Sequence, residues 1–322
     1  MAKKAKAVSL DLNDIIEKFD GVLQKGSSDI FSYVKIPFGI HPLDRLLGGG
    51  IPRKRITLLV GQPNVGKTYL ASQVVARVQK AGGKAVWIDA EMSWDARWMA
   101  QCGVDIDNIY VAQPVSGEEA FDIIRDVMNV GVDIVVLDSV AGLIPASFRD
   151  EDFDYNPIAW QARLVNQSIP RIIPSLKHGT AFVAINQLRA SMGRVPMDTM
   201  PGGEGQGYFA HFRIEVRRQG WIEEDKNRIG FDMEIFCRKS KVGGEQQRSC
   251  VVPFLFSGGF DLLETMLREA MREELIVQSG PWYSIKGVEQ KVLGMNGLKD
   301  FFLANSEKRK EIEEAVLKNG IT

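Results

Sequence analysis

From residue 56 to residue 187 two apolar patterns alternate along the chain. Short runs at 56–60, 85–88, 109–112, 134–137 and 181–185 are apolar almost without a break and rich in β-branched residues. Strands covered on both faces have that composition. Between them, segments at 69–80, 94–102, 117–130 and 157–177 read as helices. The last carries Pro170 and Pro174, which must bend or break it. Strand–helix alternation predicts a parallel sheet with helices on both faces. Residues 212–256 differ: three β-like runs, 213–219, 231–239 and 250–256, are joined by short turns and predict an antiparallel extension of that sheet. Residues 262–322 are helix-rich, with one short extended segment at Trp282-Tyr283-Ser284-Ile285, and read as a small separate domain. At the other end, Leu12, Ile15, Ile16, Phe19 and Leu23 share one helical face over 10–24, interrupted by Gly21 and closed by Gly26-Ser27-Ser28. Such a helix either folds onto its own core or packs as an arm on a neighbouring subunit. A short helix at 42–47 and a glycine turn lead into the first strand of the core. No internal repeat is evident.

The junction after that first strand carries the strongest chemical signal. Gly61-Gln62-Pro63-Asn64-Val65-Gly66-Lys67-Thr68 fits G-x-x-x-x-G-K-[ST] and lies between a strand and a helix, as a phosphate-binding loop must. Its glycines let successive N–H groups point inward, and the helix N-terminus adds partial positive charge. Lys67 is expected on the β- and γ-phosphates and Thr68 on Mg²⁺. Ligands of open α/β sheets bind beyond the carboxyl ends of the strands. Three polar residues fall there. Asp138 is expected to hold Mg²⁺ through water, against a surface turn carboxylate. Glu91 is the candidate general base for an attacking water, against an acid at a helix N-terminus. Gln187 is the candidate γ-phosphate sensor, against a polar strand terminus. Trp98, in the helix beyond Glu91, either stacks on adenine or belongs to the core.

Composition narrows the setting. The chain has 322 residues, 45% of them hydrophobic, enough for one large core and a small extra domain. The formal net charge of −1 excludes a global field for a polyanion, so any nucleic-acid surface is local. Arg189, Arg194, Arg213, Arg217 and Arg218 supply such a patch in the glycine- and arginine-rich stretch 188–220, unless it is an exposed loop without a partner. The 3 histidines are dispersed, and Cys102, Cys237 and Cys250 form no C-x-x-C pair, which argues against a disulfide framework or a zinc site. No apolar run reaches membrane-spanning length, and no signal segment follows the basic N-terminus. A reducing-compartment, cytoplasmic protein with no membrane partner is expected.

These residues together resemble the RecA family of strand-exchange ATPases over nearly the whole chain. The resemblance is carried by 61–68, Trp87-Ile88-Asp89-Ala90-Glu91, 103–108, Val136-Leu137-Asp138-Ser139-Val140-Ala141, Ala184-Ile185-Asn186-Gln187-Leu188-Arg189, Pro201-Gly202-Gly203 and 282–287. The P-loop is shared by many families; this combination in this order is specific. The implied architecture is an α/β, RecA-like P-loop NTPase core with a mostly parallel sheet at 36–261. An N-terminal oligomerisation arm at 1–35 and a small C-terminal α+β domain at 262–322 flank it. The implied activity is DNA-dependent hydrolysis of ATP, with Mg²⁺, by a homo-oligomeric helical filament that pairs single-stranded with double-stranded DNA. Glu91 then matches the catalytic glutamate, Gln187 the γ-phosphate switch and Trp98 the adenine-stacking aromatic; Tyr69 and Asp95 complete the expected nucleotide set. Lys239 and Lys241 match a pair reaching the ATP of the neighbouring subunit. Residues 147–159 and 188–208 match the two DNA-binding loops, with Arg163, Arg171, Arg189, Arg194, Gly202 and Gly203 as expected contacts.

The chain also departs from the bacterial pattern. Its first loop holds Asp150-Glu151-Asp152 and Asp154, and Pro170 stands where the family has a DNA-contacting arginine, with Arg171 one place on. Glu204-Gly205-Gln206-Gly207 follows the glycine pair, and no acidic tail precedes Thr322. These mark a divergent relative, of the kind a phage genome carries. Two other functions compete: a ring-forming helicase on the same fold, and an ATP-binding paralogue that regulates another filament. The N-terminal and C-terminal segments favour the filament, and an intact Lys67, Glu91 and Gln187 argue against lost catalysis.

Overall fold

A computed structural model describes residues 11–148, 157–190 and 198–319. Residues 1–34 and 35–322 are two compact units. In the first, α1 (Leu12–Lys18) is shorter than the apolar pattern suggests and none of its residues is buried. The expected face is there, with Leu12, Ile16 and Phe19 exposed, but the helix ends before Gly21 can contribute.

The second unit begins with β1 (Lys35–Ile36), α2 (His41–Leu46) and β2 (Ile51–Pro52), the two strands pairing antiparallel. Then comes the alternation read from the pattern: β3 (Ile56–Gly61), α3 (Lys67–Lys80), β4 (Ala85–Asp89), α4 (Ala96–Gln101), β5 (Ile109–Ala112), α5 (Gly117–Asn129), β6 (Ile134–Asp138), α6 (Pro157–Ile172) and β7 (Ala181–Gln187). Every residue of β3, β4 and β6 is buried, as their unbroken apolar runs require. The long helical segment divides at only one of its two prolines, because α6 continues through Pro170. Pro170 lies inside α6, and Pro174 opens the 3₁₀ segment Ile173–His178 that succeeds it.

The remaining strands of the core are β8 (Arg189–Ala190), β9 (Asp198–Thr199), β10 (Phe212–Glu224), β11 (Asn227–Ser240), β12 (Ser249–Leu255) and β13 (Gly259–Phe260), with α7 (Gly205–Phe209) before β10. Nine strands form one sheet in the order β13-β12-β11-β10-β3-β7-β6-β4-β5. From β10 to β5 every neighbouring pair is parallel. The expected antiparallel extension therefore starts one strand later than the pattern implied: β10 runs parallel to β3 and turns back into β11. Its register with β3 ends at Val216, so the β10–β11 hairpin continues past the carboxyl end of the sheet.

After α8 (Leu262–Arg272) come β14 (Ile276–Ser279), β15 (Trp282–Ile285), β16 (Val292–Leu293), α9 (Gly294–Ala304) and α10 (Ser306–Asn319). The three strands form their own antiparallel sheet. Leu267, Ile276, Tyr283, Leu298, Phe302, Ile312 and Val316 fill a hydrophobic cluster distinct from the one beneath β3, β6 and β7. Sequence patterning found only one of these three strands, because two- and four-residue segments carry too little periodicity to register.

Candidate active site

Parallel strands lying side by side bring their carboxyl ends to one edge of the sheet, and β3, β7, β6 and β4 are consecutive neighbours. The P-loop leaves β3 there. Asn64 and Gly66 adopt left-handed φ of 59° and 90°. The φ of Gly66 favours glycine, and a β-carbon there would lie 2.3 Å from the mobile end of the Met233 side chain, Cε, which would have to shift. Lys67 begins α3 and is buried; its Nζ donates to the Gln62 carbonyl at 2.7 Å, inside the loop it is expected to serve. Burial lowers its pKa, opposed by the carboxylates of Asp138 and Glu91.

Thr68 Oγ1, in the first turn of α3, donates to Asp138 Oδ2 at the end of β6 at 2.8 Å. Asp138 is buried, and that burial pushes its pKa up to about 6, against the Thr68 hydrogen bond. A buried carboxylate beside a hydroxyl, both hard oxygen donors, fits Mg²⁺, which takes one or two protein oxygens and fills its octahedron with phosphate oxygens and water. The cation would also remove the penalty of ionising Asp138.

Glu91 is exposed on the loop after β4. Asp89, fully buried, shapes that loop by accepting from the backbone N–H groups of Ser93 at 3.1 Å and Trp94 at 2.9 Å, and from Gln113 Nε2 at 2.8 Å. Two donors meet on Glu91 Oε1: the Ser139 hydroxyl and Gln187 Nε2, the latter at 3.1 Å. The candidate base and the candidate sensor, 96 residues apart in sequence, are thus in direct contact. Ser139 was not singled out in the sequence, although its place immediately after the acid at the end of β6 is a signal that could have found it.

Asp95 caps α4, accepting from the backbone N–H groups of Arg97 at 2.8 Å and Trp98 at 3.0 Å. It thereby sets the first turn from which Trp98 projects, 40% exposed and outside the core. Tyr69 packs edge-on against Phe254 and Phe260, 4.9 Å from each, and its hydroxyl accepts from the Phe260 N–H at 3.2 Å. These contacts anchor α3 to β12 and β13.

Lys239 Nζ donates to the carbonyls of Gly207 at 2.6 Å and Tyr208 at 3.1 Å, and Lys241 Nζ to that of Tyr208 at 3.3 Å. Both ammonium groups thus converge on the end of α7, where unpaired carbonyls attract cations. Of the expected DNA contacts, Arg163 is exposed with its guanidinium 5.7 Å from the Trp160 ring centre. Arg171 is exposed farther along α6. Arg189 is exposed in β8, which pairs with β9. Gly202 and Gly203 hold positive φ in the following turn. Gly202 is buried, with a β-carbon position only 3.0 Å from Val140 and Val165 side-chain carbons. Arg194 and the acidic run 150–154 lie outside the described residues.

A P-loop at the end of the central strand, an acid at the end of the next strand but one and a glutamate–glutamine contact beside them define a P-loop NTPase of the RecA type. The model of the RecA N-terminal domain matches residues 6–261. The chain is 33% identical to Protein RecA of Aquifex pyrophilus, covering 98% of this chain and 92% of that protein. It is 33% identical to Protein RecA of Aquifex aeolicus, covering 98% and 93%, and 32% identical to that of Nautilia profundicola, covering 98% and 92%. The chain belongs to the RecA family: it is a RecA-type recombinase and a DNA-dependent ATPase. Among the described residues no helix is long and apolar enough to cross a membrane.

Proposed function

We propose that this chain hydrolyses ATP at the carboxyl edge of β3, β4, β6 and β7, and that the nucleotide governs its grip on single-stranded DNA within a helical filament of its own copies. The meeting of Glu91 with Gln187, beside the Thr68–Asp138 pair and the Lys67 loop, carries this reading. The P-loop N–H groups and Lys67 bind the phosphates. Thr68 and Asp138 would hold Mg²⁺, whose chemistry is to neutralise charge on the bridging and γ-phosphate oxygens. Glu91 orients a water for in-line attack on the γ-phosphorus and takes its proton as the bond to the ADP oxygen breaks. Gln187, drawn to the γ-phosphate, would leave Glu91 Oε1 and free it for that water.

DNA is assigned to the exposed arginines Arg163, Arg171 and Arg189, with Arg194 and the glycine pair Gly202-Gly203. Lys239 and Lys241 are assigned to the ATP of the adjoining subunit. The division into an arm, a core and a C-terminal domain is supported by the separate hydrophobic cluster after residue 262. The protein is assigned to the cytoplasm, in association with the nucleoid, on its relation to proteins that act on DNA.

Glu91→Gln tests the reaction. It keeps the shape and one hydrogen-bond acceptor but removes the base. ATP binding should be retained while turnover falls by about 100- to 10,000-fold. Turnover at the parent rate would refute the assignment.

A further inference from the structure

Asn186 and Gln187 are successive residues at the end of β7, so their side chains leave on opposite faces. Gln187 reaches Glu91. Asn186 is fully buried on the other side, and both hydrogens of its amide nitrogen are used. Its Oδ1 accepts from the Gln187 backbone N–H at 2.8 Å. Its Nδ2 donates to the Pro201 carbonyl at 2.8 Å and to Gln206 Oε1 at 2.9 Å. Gln206 is 2% exposed, and its Nε2 donates to the carbonyls of Pro201 at 2.6 Å and Gly203 at 2.9 Å. Two buried amides therefore connect the backbone of the sensor to the turn 201–206, where the 188–208 loop returns to the core.

We propose that Asn186 and Gln206 are positioning residues, a buried amide clasp through which nucleotide at Gln187 sets the geometry of the 188–208 loop and hence its affinity for DNA. The inference rests on reading Gln187 as the γ-phosphate sensor and 188–208 as a DNA-binding loop. Neither amide touches nucleotide or nucleic acid in this role. A buried donor that loses its acceptor has no water to turn to, so the clasp moves as a unit or breaks. The turn it holds is equally constrained: Gly202 sits against Val140 and Val165, and a β-carbon on Gly205 would lie 1.8 Å from Asn166 Oδ1. A shift of the Gln187 backbone cannot be absorbed between β7 and the turn; it arrives at Pro201 and Gly203.

The test measures a ratio rather than an affinity. Binding of the full chain to a fluorescein-labelled oligothymidylate is followed by anisotropy, with Mg²⁺ and either a slowly hydrolysed ATP analogue or ADP. The parent should bind more tightly with the analogue, by about 5- to 150-fold as allosteric couplings go. Gln206→Leu removes the clasp's acceptor and donors together. Gln206→Glu keeps an acceptor for Asn186 but loses the donors to Pro201 and Gly203, and it carries the test if the leucine variant does not fold. Both should bring the ratio close to one while leaving affinity in ADP near the parent's. Thr180→Val is the structural control: it deletes a buried hydrogen bond, Thr180 Oγ1 to the Val132 carbonyl at 2.6 Å, immediately before β7. It should keep the parent's ratio. A parent ratio near one would overturn the DNA-coupled sensor and this inference with it. A parent ratio retained in both Gln206 variants, or lost equally in Thr180→Val, would overturn the clasp alone.

Discussion

The acids of the site are placed to do different work because their surroundings differ. Asp138 is buried, disfavoured as an anion and hydrogen-bonded to Thr68, so it suits a fixed cation. Glu91 stands exposed, where a water can reach it. A third titratable side chain reports on the core itself. His211 Nδ1 accepts from the Ile56 N–H at 3.3 Å, and burial, followed by the charges of Arg55, Lys241 and Lys239, lowers its pKa from 6.5 to about 4. A histidine depressed in the folded state binds its proton preferentially when unfolded. Its contribution to stability is therefore complete above about pH 6.5 and is lost as pH falls toward 4. His211→Asn, which can still accept from Ile56, should flatten that dependence. Thermal melts between these limits should show the parent gaining on the variant as pH rises; parallel curves would show that His211 is not buried as a neutral ring.

At the scale of elements, the site depends on strands that present their ends and loops that cannot drift. The P-loop turns through positive φ at Asn64 and Gly66, and α3 is pinned by Tyr69 against Phe254 and Phe260. The C-terminal elements need none of these contacts for their own cohesion. Phe302 is fully buried in their cluster and meets Phe301 edge-on at 5.3 Å. Phe302→Ala should cost about 3–5 kcal/mol of local stability through lost burial and the cavity left behind. Hydrogen exchange should accelerate across α8, β14, β15, α9 and α10 while β3 and β7 keep their protection and ATP still binds. Equal acceleration in the central strands would mean that the C-terminal segment is not a domain of its own.

At the scale of the molecule, the role proposed for Lys239 and Lys241 concerns assembly. In this chain they rest on the carbonyls of Gly207 and Tyr208, the two residues after the buried Gln206. Reaching a neighbour's γ-phosphate would exchange a partial negative charge for a full one, making assembly dependent on ATP and reversible on hydrolysis. Lys239→Ala with Lys241→Ala should leave the chain folded and able to bind ATP, but without cooperative, DNA-stimulated turnover or ATP-dependent filaments in electron micrographs. Mixed with Glu91→Gln protein, it should recover part of the activity at interfaces that pair an intact Glu91 with intact lysines. Absence of recovery at every mixing ratio, with both variants folded and co-assembling, would argue against a shared site.

The placement of Lys67, Thr68, Asp138, Glu91 and Gln187 at the carboxyl edge of the sheet was legible in the chain because local rules specify it. A P-loop has fixed spacing, and a polar residue closing an apolar strand must emerge at the sheet's edge. The strand–helix alternation was legible for the same reason, since burial on both faces leaves an unbroken apolar run. Local pattern also located the break near Pro174. It could not order the strands. Placing β6 and β7 between β4 and β3 is a long-range choice, and it alone brings Gln187 onto Glu91 and Thr68 onto Asp138. The parallel pairing of β10 with β3 depends equally on contacts far apart in the chain. Asn186 and Gln206 had no signature of their own, because an amide acquires a role only from the atoms packed around it, and Ser139 had only its place after Asp138. Sequence determined which groups could act on a phosphate; tertiary structure decided which of them touch, because hydrogen bonds and packing extend only a few ångströms while the partners lie tens of residues apart.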